Sequence, residues 1–368
     1  MTSFTGGGKL LSVMRIKSTI VASLLLTSCA FADSYIFTGE LSGELTDYNN
    51  YLKVTNAPSI WASPFKADGA EVATSLPSDT DTICIGDYKY PVGVDDEGNT
   101  TYGSTYYGPD VMTISDDFAV KGVQFRYMGN NSYYPTIKIG SAENDVTFSV
   151  TGKGTTKINT SIGFLAGSYS NRTMVLQRAE EAVDTNVVVS IATLALCNDK
   201  YKIGTVETGA IDVISLGYLA LWWTKVNLST YADKIEVLDG VEMNYEASTV
   251  ANSWTIIVSD KAFDNGAYVD VMGYFTKLDN QKIAFDFSQT ELEEGMVYDL
   301  MAIDGTMTGF NKEDVSSDFD FIGLDDVDYS VAWNGNTLQL STAVPEPAEV
   351  AGVFAFVALA FAYIRRRK

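Results

Sequence analysis

The chain of 368 residues contains no histidine at all. That removes Ser-His-Asp and Cys-His catalysis, and any zinc or copper centre that depends on imidazole. Cysteine is nearly missing too. Cys29 lies in the N-terminal apolar segment, and only Cys84 and Cys197 sit in the body. Outside the cytoplasm these two can pair, closing a loop of about 113 residues worth up to about 4–5 kcal/mol in the chain-entropy picture. The alternative is two buried thiols, since Cys197 follows the apolar run Leu194-Ala195-Leu196. Cations are scarce, 25 Lys and Arg against 47 Asp and Glu, for a formal charge of −22. Seven of the cations and two of the glutamates lie in the terminal segments 1–32 and 344–368, so the body between them carries −27. So acidic a body repels nucleic acid and anionic membrane surfaces, and no nucleic-acid partner is expected. There is no Gly-rich phosphate loop and no nucleophile-elbow pattern. Carboxylate-only glycosidase or Ca-assisted lyase chemistry stays formally open, but no acidic pair is set out by spacing, so neither an enzyme nor a cofactor is expected.

Helical periodicity is also lacking, and Arg178 to Val183 alone has helical flavour, for one or two turns. What is present is a series of short β runs divided by Gly, Asn, Asp and Ser, at spacings of roughly 8–15 residues. Tyr51 to Val54 and Ile83 to Ile85 come early. The series then runs through Val111 to Ile114, Ala119 to Phe125, Thr136 to Ile139, Val146 to Val150, Val187 to Ile191, Ile211 to Leu216 and Leu219 to Trp223. Lys234 to Leu238, Trp254 to Val258, Ile283 to Phe287, Val297 to Ile303 and Thr337 to Leu340 follow. This is an all-β chain. Runs apolar at the centre, such as Val187-Val188-Val189, suit parallel strands inside a coil. The expected fold is therefore a right-handed β-helix or solenoid, with a β-sandwich or jelly roll as the alternative, although no repeat of fixed period is present. Tyr329, Val331 and Trp333 share one face of a closing hairpin, with Asn334-Gly335 as its turn; such a hairpin would cap the last coil.

Three polar or aromatic groups invite a functional reading. Asp95-Asp96-Glu97-Gly98-Asn99 is dense in oxygen ligands, but its glycine falls at the fourth place, unlike a Ca-binding EF-hand loop, and an acidic turn is expected. Asp314, Asp318, Asp320, Asp325, Asp326 and Asp328 are expected to be solvated, with Phe319, Phe321 and Ile322 pointing inward between them. No metal site is assigned. Trp222-Trp223, with Tyr218 and Tyr231, would make an aromatic platform for a sugar if both rings were exposed, whereas their apolar flank Leu219-Ala220-Leu221 argues for a core position.

The two ends give the address. Arg15 and Lys17 precede the apolar run Ile20 to Leu26 and then small residues, a secretory signal peptide with cleavage after Ala30-Phe31-Ala32. Its true start can be Met14, and Leu26-Thr27-Ser28-Cys29 offers a lipobox as the alternative processing site. At the other end, Val344-Pro345-Glu346-Pro347 leads to an uncharged apolar run, Val350 to Ile364, and then to Arg365, Arg366, Arg367 and Lys368. As a helix the run spans roughly 22 Å against a hydrocarbon core of about 30 Å, short for a permanent anchor, and the basic end predicts a cytoplasmic C-terminus. The order of motif, span and basic end closely resembles the PEP-CTERM sorting signal of envelope-bearing bacteria. An ordinary single-pass tail anchor is the alternative. The resemblance implies an exosortase-type membrane protease that cuts near Pro-Glu-Pro, so that membrane anchoring is transient and the protein passes from the envelope to the cell surface or exterior.

Two looser likenesses lie in the body. Ile114 to Phe125 resembles the opening coil of autotransporter-passenger-like repeats. Gly295 to Gly305, with Gly309-Phe310 and Trp333 to Leu340, is similar to the terminal unit of PEP-CTERM surface proteins. The organisation that follows is a signal peptide over 1–32, a β-rich segment over 33–108, a solenoid-like body over 109–342, and a sorting signal over 343–368 with its transmembrane helix at 350–364. The expected role is structural or adhesive, at the cell surface or in the extracellular matrix, with exopolysaccharide or surface glycans as partners. A carbohydrate-binding or carbohydrate-active β-helix is the alternative.

Overall fold

The computed structural model describes residues 33–39, 42–54, 65–106, 108–126, 135–153, 163–164, 173–196, 200–221, 226–243, 252–264 and 266–343. Both termini, with the cleavage residues Ala30 and Ala32, the motif Val344 to Pro347 and the basic stop Arg365 to Lys368, lie outside them. So do Trp222, Trp223 and Cys197.

The protein is all-β. Eight strands open it: β1 (Ser34–Phe37), β2 (Tyr51–Val54), β3 (Phe65–Lys66), β4 (Glu71–Val72), β5 (Thr82–Gly86), β6 (Tyr88–Lys89), β7 (Pro91–Val94) and β8 (Thr100–Tyr102). The chain then lays strands down in threes, β9 (Val111–Ile114), β10 (Phe118–Val120) and β11 (Gly122–Arg126), followed by β12 (Thr136–Ile139), β13 (Val146–Val150) and β14 (Gly163–Phe164). Corners next straighten out. β15 (Thr173–Arg178) leads to the long β16 (Val187–Leu196), β17 (Lys200–Ile203) leads to β18 (Ile211–Leu221), and β19 (Asn227–Met243) runs for 17 residues. Threes resume with β20 (Ser253–Val258), β21 (Val269–Val271) and β22 (Tyr274–Lys277), then β23 (Lys282–Asp286), β24 (Val297–Ile303) and β25 (Met307–Thr308). β26 (Phe319–Ile322) and the hairpin of β27 (Tyr329–Asn334) and β28 (Thr337–Thr342) are the last of the described strands.

These strands stack into three parallel ladders. The first runs β9, β12, β15, β17, β19, β20, β23, β26. The second runs β10, β13, β16, β18, β19, β21, β24. The third, nine strands of one parallel sheet, runs β1, β5, β11, β14, β16, β18, β19, β22, β25. The long strands β16 and β18 serve the second and third ladders in succession, and β19 serves all three. The sheet so formed nearly closes into a barrel-like shape.

Alternation decides which side chains enter. In β13, Val146, Phe148 and Val150 are buried while Thr147 and Ser149 are half-exposed. Inward residues then stack rung on rung, as in Met112, Ile137, Leu176 and Ile203 of the first ladder, and Phe118 packs flat on Phe148 with ring centroids 6.3 Å apart. Each such aliphatic side chain contributes roughly 1.5–3 kcal/mol of burial. Thr230 also falls in this stack, and its hydroxyl is satisfied by the Trp254 indole N–H at 3.1 Å. Val188, at the centre of the wholly apolar run in β16, is half-exposed, so that strand too has an outer face.

Several expectations are corrected. Arg178 to Val183 is not helical: β15 ends at Arg178, and its guanidinium pairs with Asp212 and donates to the carbonyls of Ala182 and Thr185, fastening the following turn. The closing hairpin turns at Gly335-Asn336 rather than Asn334-Gly335, because Asn334 is paired with Thr337 and Gly335 takes the left-handed φ of +65°. The hairpin does close one end, since β28 adds antiparallel to β24 of the second ladder. At the opposite end β2 adds antiparallel to β1, and β4 to β2.

Candidate functional site

A concavity lies beside the closing hairpin. Its first wall is a turn built by Asn311, whose side-chain oxygen accepts the backbone N–H groups of Glu313 (3.1 Å) and Asp314 (3.2 Å). Asn is suited to this, because its short amide mimics a backbone turn. A single 3-10 turn follows over Val315–Ser317, and the Ser316 hydroxyl donates to Asp314 at 2.6 Å. The second wall is β27, which presents Tyr329, Val331 and Ala332, while Phe321 of β26 forms the floor. Tyr329 stands edge-on to Phe321, with centroids 6.1 Å apart at 63°. The cleft is open to solvent, with a volume of about 370 Å³.

Lys312 ties the two walls together. Its ammonium donates to Gly335 O (2.7 Å) and Asn336 Oδ1 (2.9 Å) and lies 5.8 Å from the centre of the Trp333 ring. Beneath the cleft is a buried ion pair. Lys277 Nζ is 2.6 Å from Asp318 Oδ1, with both side chains almost wholly removed from solvent, and Asp318 Oδ2 accepts the Asn311 N–H at 2.6 Å. The Phe310 ring covers the Lys277 ammonium at 5.4 Å. The acidic turn and the buried pair are therefore one connected unit.

The aspartates of this region do not act together. Asp318, expected to be solvated, is buried, because Lys277 sits one rung below the core residue Met243 and needs a counter-charge there. Asp320 pairs with Lys282 at 3.3 Å, while Asp314, Asp325, Asp326 and Asp328 are exposed. Of the three apolar residues expected to point inward, Phe319 is buried and Phe321 partly so, but Ile322 faces outward. Among the described residues no group of three or more His, Cys, Asp or Glu could hold a metal ion. The 95–99 cluster is an acidic turn joining β7 and β8. Asp95 accepts the N–H groups of Glu97 (3.0 Å) and Asn99 (2.7 Å), which hold its carboxyl below the usual range, the bond from Asn99 foremost.

Tyrosines gather at two further places. The β3–β6 pair lies over the outer side of β1 and β5, burying Phe65 and Tyr88 against Ile36 and Cys84. Cys84 is thus a buried free thiol, and burial pushes its pKa up. Tyr106 stacks on Tyr88 at 5.4 Å, and Tyr90 stands edge-on to both. The Tyr102 hydroxyl donates to Asp68 at 2.8 Å; burial first, then this bond, raises its pKa to about 12. On the third ladder the Tyr274 hydroxyl donates to Glu242 at 3.0 Å and is linked to Tyr218, so Tyr218 belongs to a hydroxyl–carboxylate group. The only sequence signal for these sites was tyrosine at alternate positions, 88 and 90, which a strand puts on one face. Compared with known proteins, the chain matches no family model, no curated protein and no solved structure.

Proposed function

We propose that this is an exported structural or adhesive protein of the bacterial cell surface or extracellular matrix. Its body is a right-handed β-solenoid of the autotransporter-passenger type, and its C-terminal tail is a sorting signal read by an exosortase-type protease. The observation that carries this reading is how close the last described strand lies to the motif. Thr342 is the last residue of β28, and the Ala343 N–H is still bonded to Asp328 O at 2.9 Å. Val344-Pro345-Glu346-Pro347 begins at the next residue. A protease acting there would meet a motif directly abutting a closed hairpin, and would release the body without disturbing a ladder.

The three parallel ladders support the solenoid, and the acidic body suits a soluble life outside the cell. Surface glycans or exopolysaccharide are the partners of the adhesive role, and the membrane helix at 350–364 is a transient anchor. Replacing Pro345, Glu346 and Pro347 together by alanine tests the sorting step in the producing bacterium. The expected outcome is a longer, membrane-retained form and loss of the released one. Unchanged length and unchanged release would refute the assignment.

A further inference from the structure

We propose that the cleft beside the closing hairpin binds a cationic amino-sugar unit of a polysaccharide. The sugar ring would lie on Tyr329, and its ammonium would be held by Glu313 and Asp314. The inference rests on the adhesive reading above for its polysaccharide context, but its chemistry comes from the cleft alone.

At about 370 Å³ the cleft falls at the small end of small-molecule sites, the scale of one sugar ring with part of its neighbour. Its apolar side is aromatic and exposed: Tyr329 is 39% accessible and is propped edge-on by Phe321. A flat aromatic face suits the C–H side of a pyranose, and its negative quadrupole favours a ligand that is also cationic. The polar side is acidic. Glu313 and Asp314 stand at its rim, exposed and held by the Asn311 turn, whose two N–H bonds fix the backbone beneath them. The one lysine in the lining, Lys312, has its ammonium committed to Gly335 O and Asn336 Oδ1.

Charge then selects among sugars. Uronic acids and sulfated sugars meet two carboxylates and are repelled. Neutral hexoses stack but gain no ionic term. A hexosamine with a free amine satisfies both walls at once. The scaffold is also fixed in advance, because Lys312 clamps the turn to the hairpin and the Lys277–Asp318 pair fixes it from below. Pre-organisation of this kind reduces the ordering cost that weakens sugar binding.

The test is calorimetric titration of the secreted protein with a fully deacetylated β-1,4-glucosamine hexamer at mildly acidic pH, where the sugar amines are protonated and the carboxylates still ionised, beside its N-acetylated counterpart and cellohexaose. The deacetylated hexamer is expected to bind at least about tenfold more tightly than either control, a difference of about 1.4 kcal/mol. Tyr329→Ala and Glu313→Gln should each weaken it by about fivefold or more while the melting temperature stays put. Asp96→Asn, on the β7–β8 turn, should leave binding unchanged. Failure of the hexamer to bind overturns the proposal. So does equal binding by Tyr329→Ala and wild type, which would show that the acidic body attracts the oligomer diffusely. The two readings fail separately. Correct tail processing without hexamer binding sinks the cleft assignment alone, and hexamer binding with an unprocessed tail sinks the sorting assignment alone.

Discussion

Lys277 is the residue at which pattern and fold disagree most. On alternation it occupies an inward place, beneath the buried Met243 and on the same face as the buried Phe275. An ammonium there is tolerable only because Asp318 meets it at 2.6 Å and Phe310 covers it. Nothing in Tyr274-Phe275-Thr276-Lys277 announces this, since the partner lies 41 residues further on in a run of aspartates that reads as solvent-facing. Removing one member of a buried pair strands the other charge and costs about 3–5 kcal/mol, whereas removing both for apolar groups is often neutral. Asp318→Asn should therefore destabilise the protein by a few kcal/mol, and Lys277→Met by a similar amount. The double replacement Lys277→Met with Asp318→Leu should recover much of that loss, with Met repeating the residue one rung above; Asn311 N–H, which loses its acceptor, sets the remainder. Urea unfolding of wild type, Lys277→Met, Asp318→Leu and the double variant checks this. Additive losses in the double variant would show that the pair does not act as a unit.

Individual strands were legible where a short apolar-rich run was bounded by turn-forming residues such as Gly, Pro, Asp, Asn or Ser. Val111–Ile114, Thr136–Ile139, Val146–Val150 and Val297–Ile303 fall where the sequence places them. Long strands were not, because β18 carries Gly217 and β19 carries Gly240, which read as breaks but lie inside continuous strands. The missing period has the same kind of cause. The step from one rung to the next is 21 residues from Ile214 to Ile235 but 48 from Ile36 to Cys84, as corners lengthen or vanish. Stacking fixes where each strand must land, not how much chain is spent between strands. Corner glycines then differ sharply in what they do. A Cβ at Gly273 would overlap the carbonyl oxygen of Asp239 on the neighbouring rung, so that two backbones there meet with no room for a side chain. A Cβ at Gly335 meets nothing within 4 Å, and only its positive φ of +65° resists substitution. Gly335→Ala should cost about 1 kcal/mol of backbone strain. Gly273→Ala should cost clearly more, since a rung must move to accept it. Thermal melts of the two variants give the ranking, and equal melting temperatures would contradict the close approach at Gly273.

Stability along the molecule should not be uniform. Each rung of a ladder bonds to its neighbours above and below, so the fold behaves more like a row of coupled units than like a single two-state domain. The centre is the best-bonded part, since β16, β18 and β19 pair with one another through the second and third ladders almost without interruption. Their inward stacks, such as Val189, Ile214 and Ile235, or Leu194, Leu219 and Val241, are wholly buried. Toward the C-terminal end the strands shorten, until β25 has two residues and β26 four, and the closing hairpin protects only the second ladder. The first ladder ends at β26, which has no further parallel partner among the described residues. At the N-terminal end β2 and β4 cover the third ladder, through a pairing of four residues and then of two. Local opening follows such gradients, with free energies from near zero at the ends up to the global value in the core. Amide exchange followed by mass spectrometry should therefore be slowest in β16, β18 and β19. It should be intermediate in β12, β13, β20 and β23, and fastest in β4, β25 and β26. Destabilising the C-terminal end by Asp318→Asn should speed exchange in β22 to β28 and leave β16 to β18 nearly unchanged. If that replacement instead raised exchange equally in every strand, the ladders would be opening all at once, and the rung-by-rung account of their stability would be wrong.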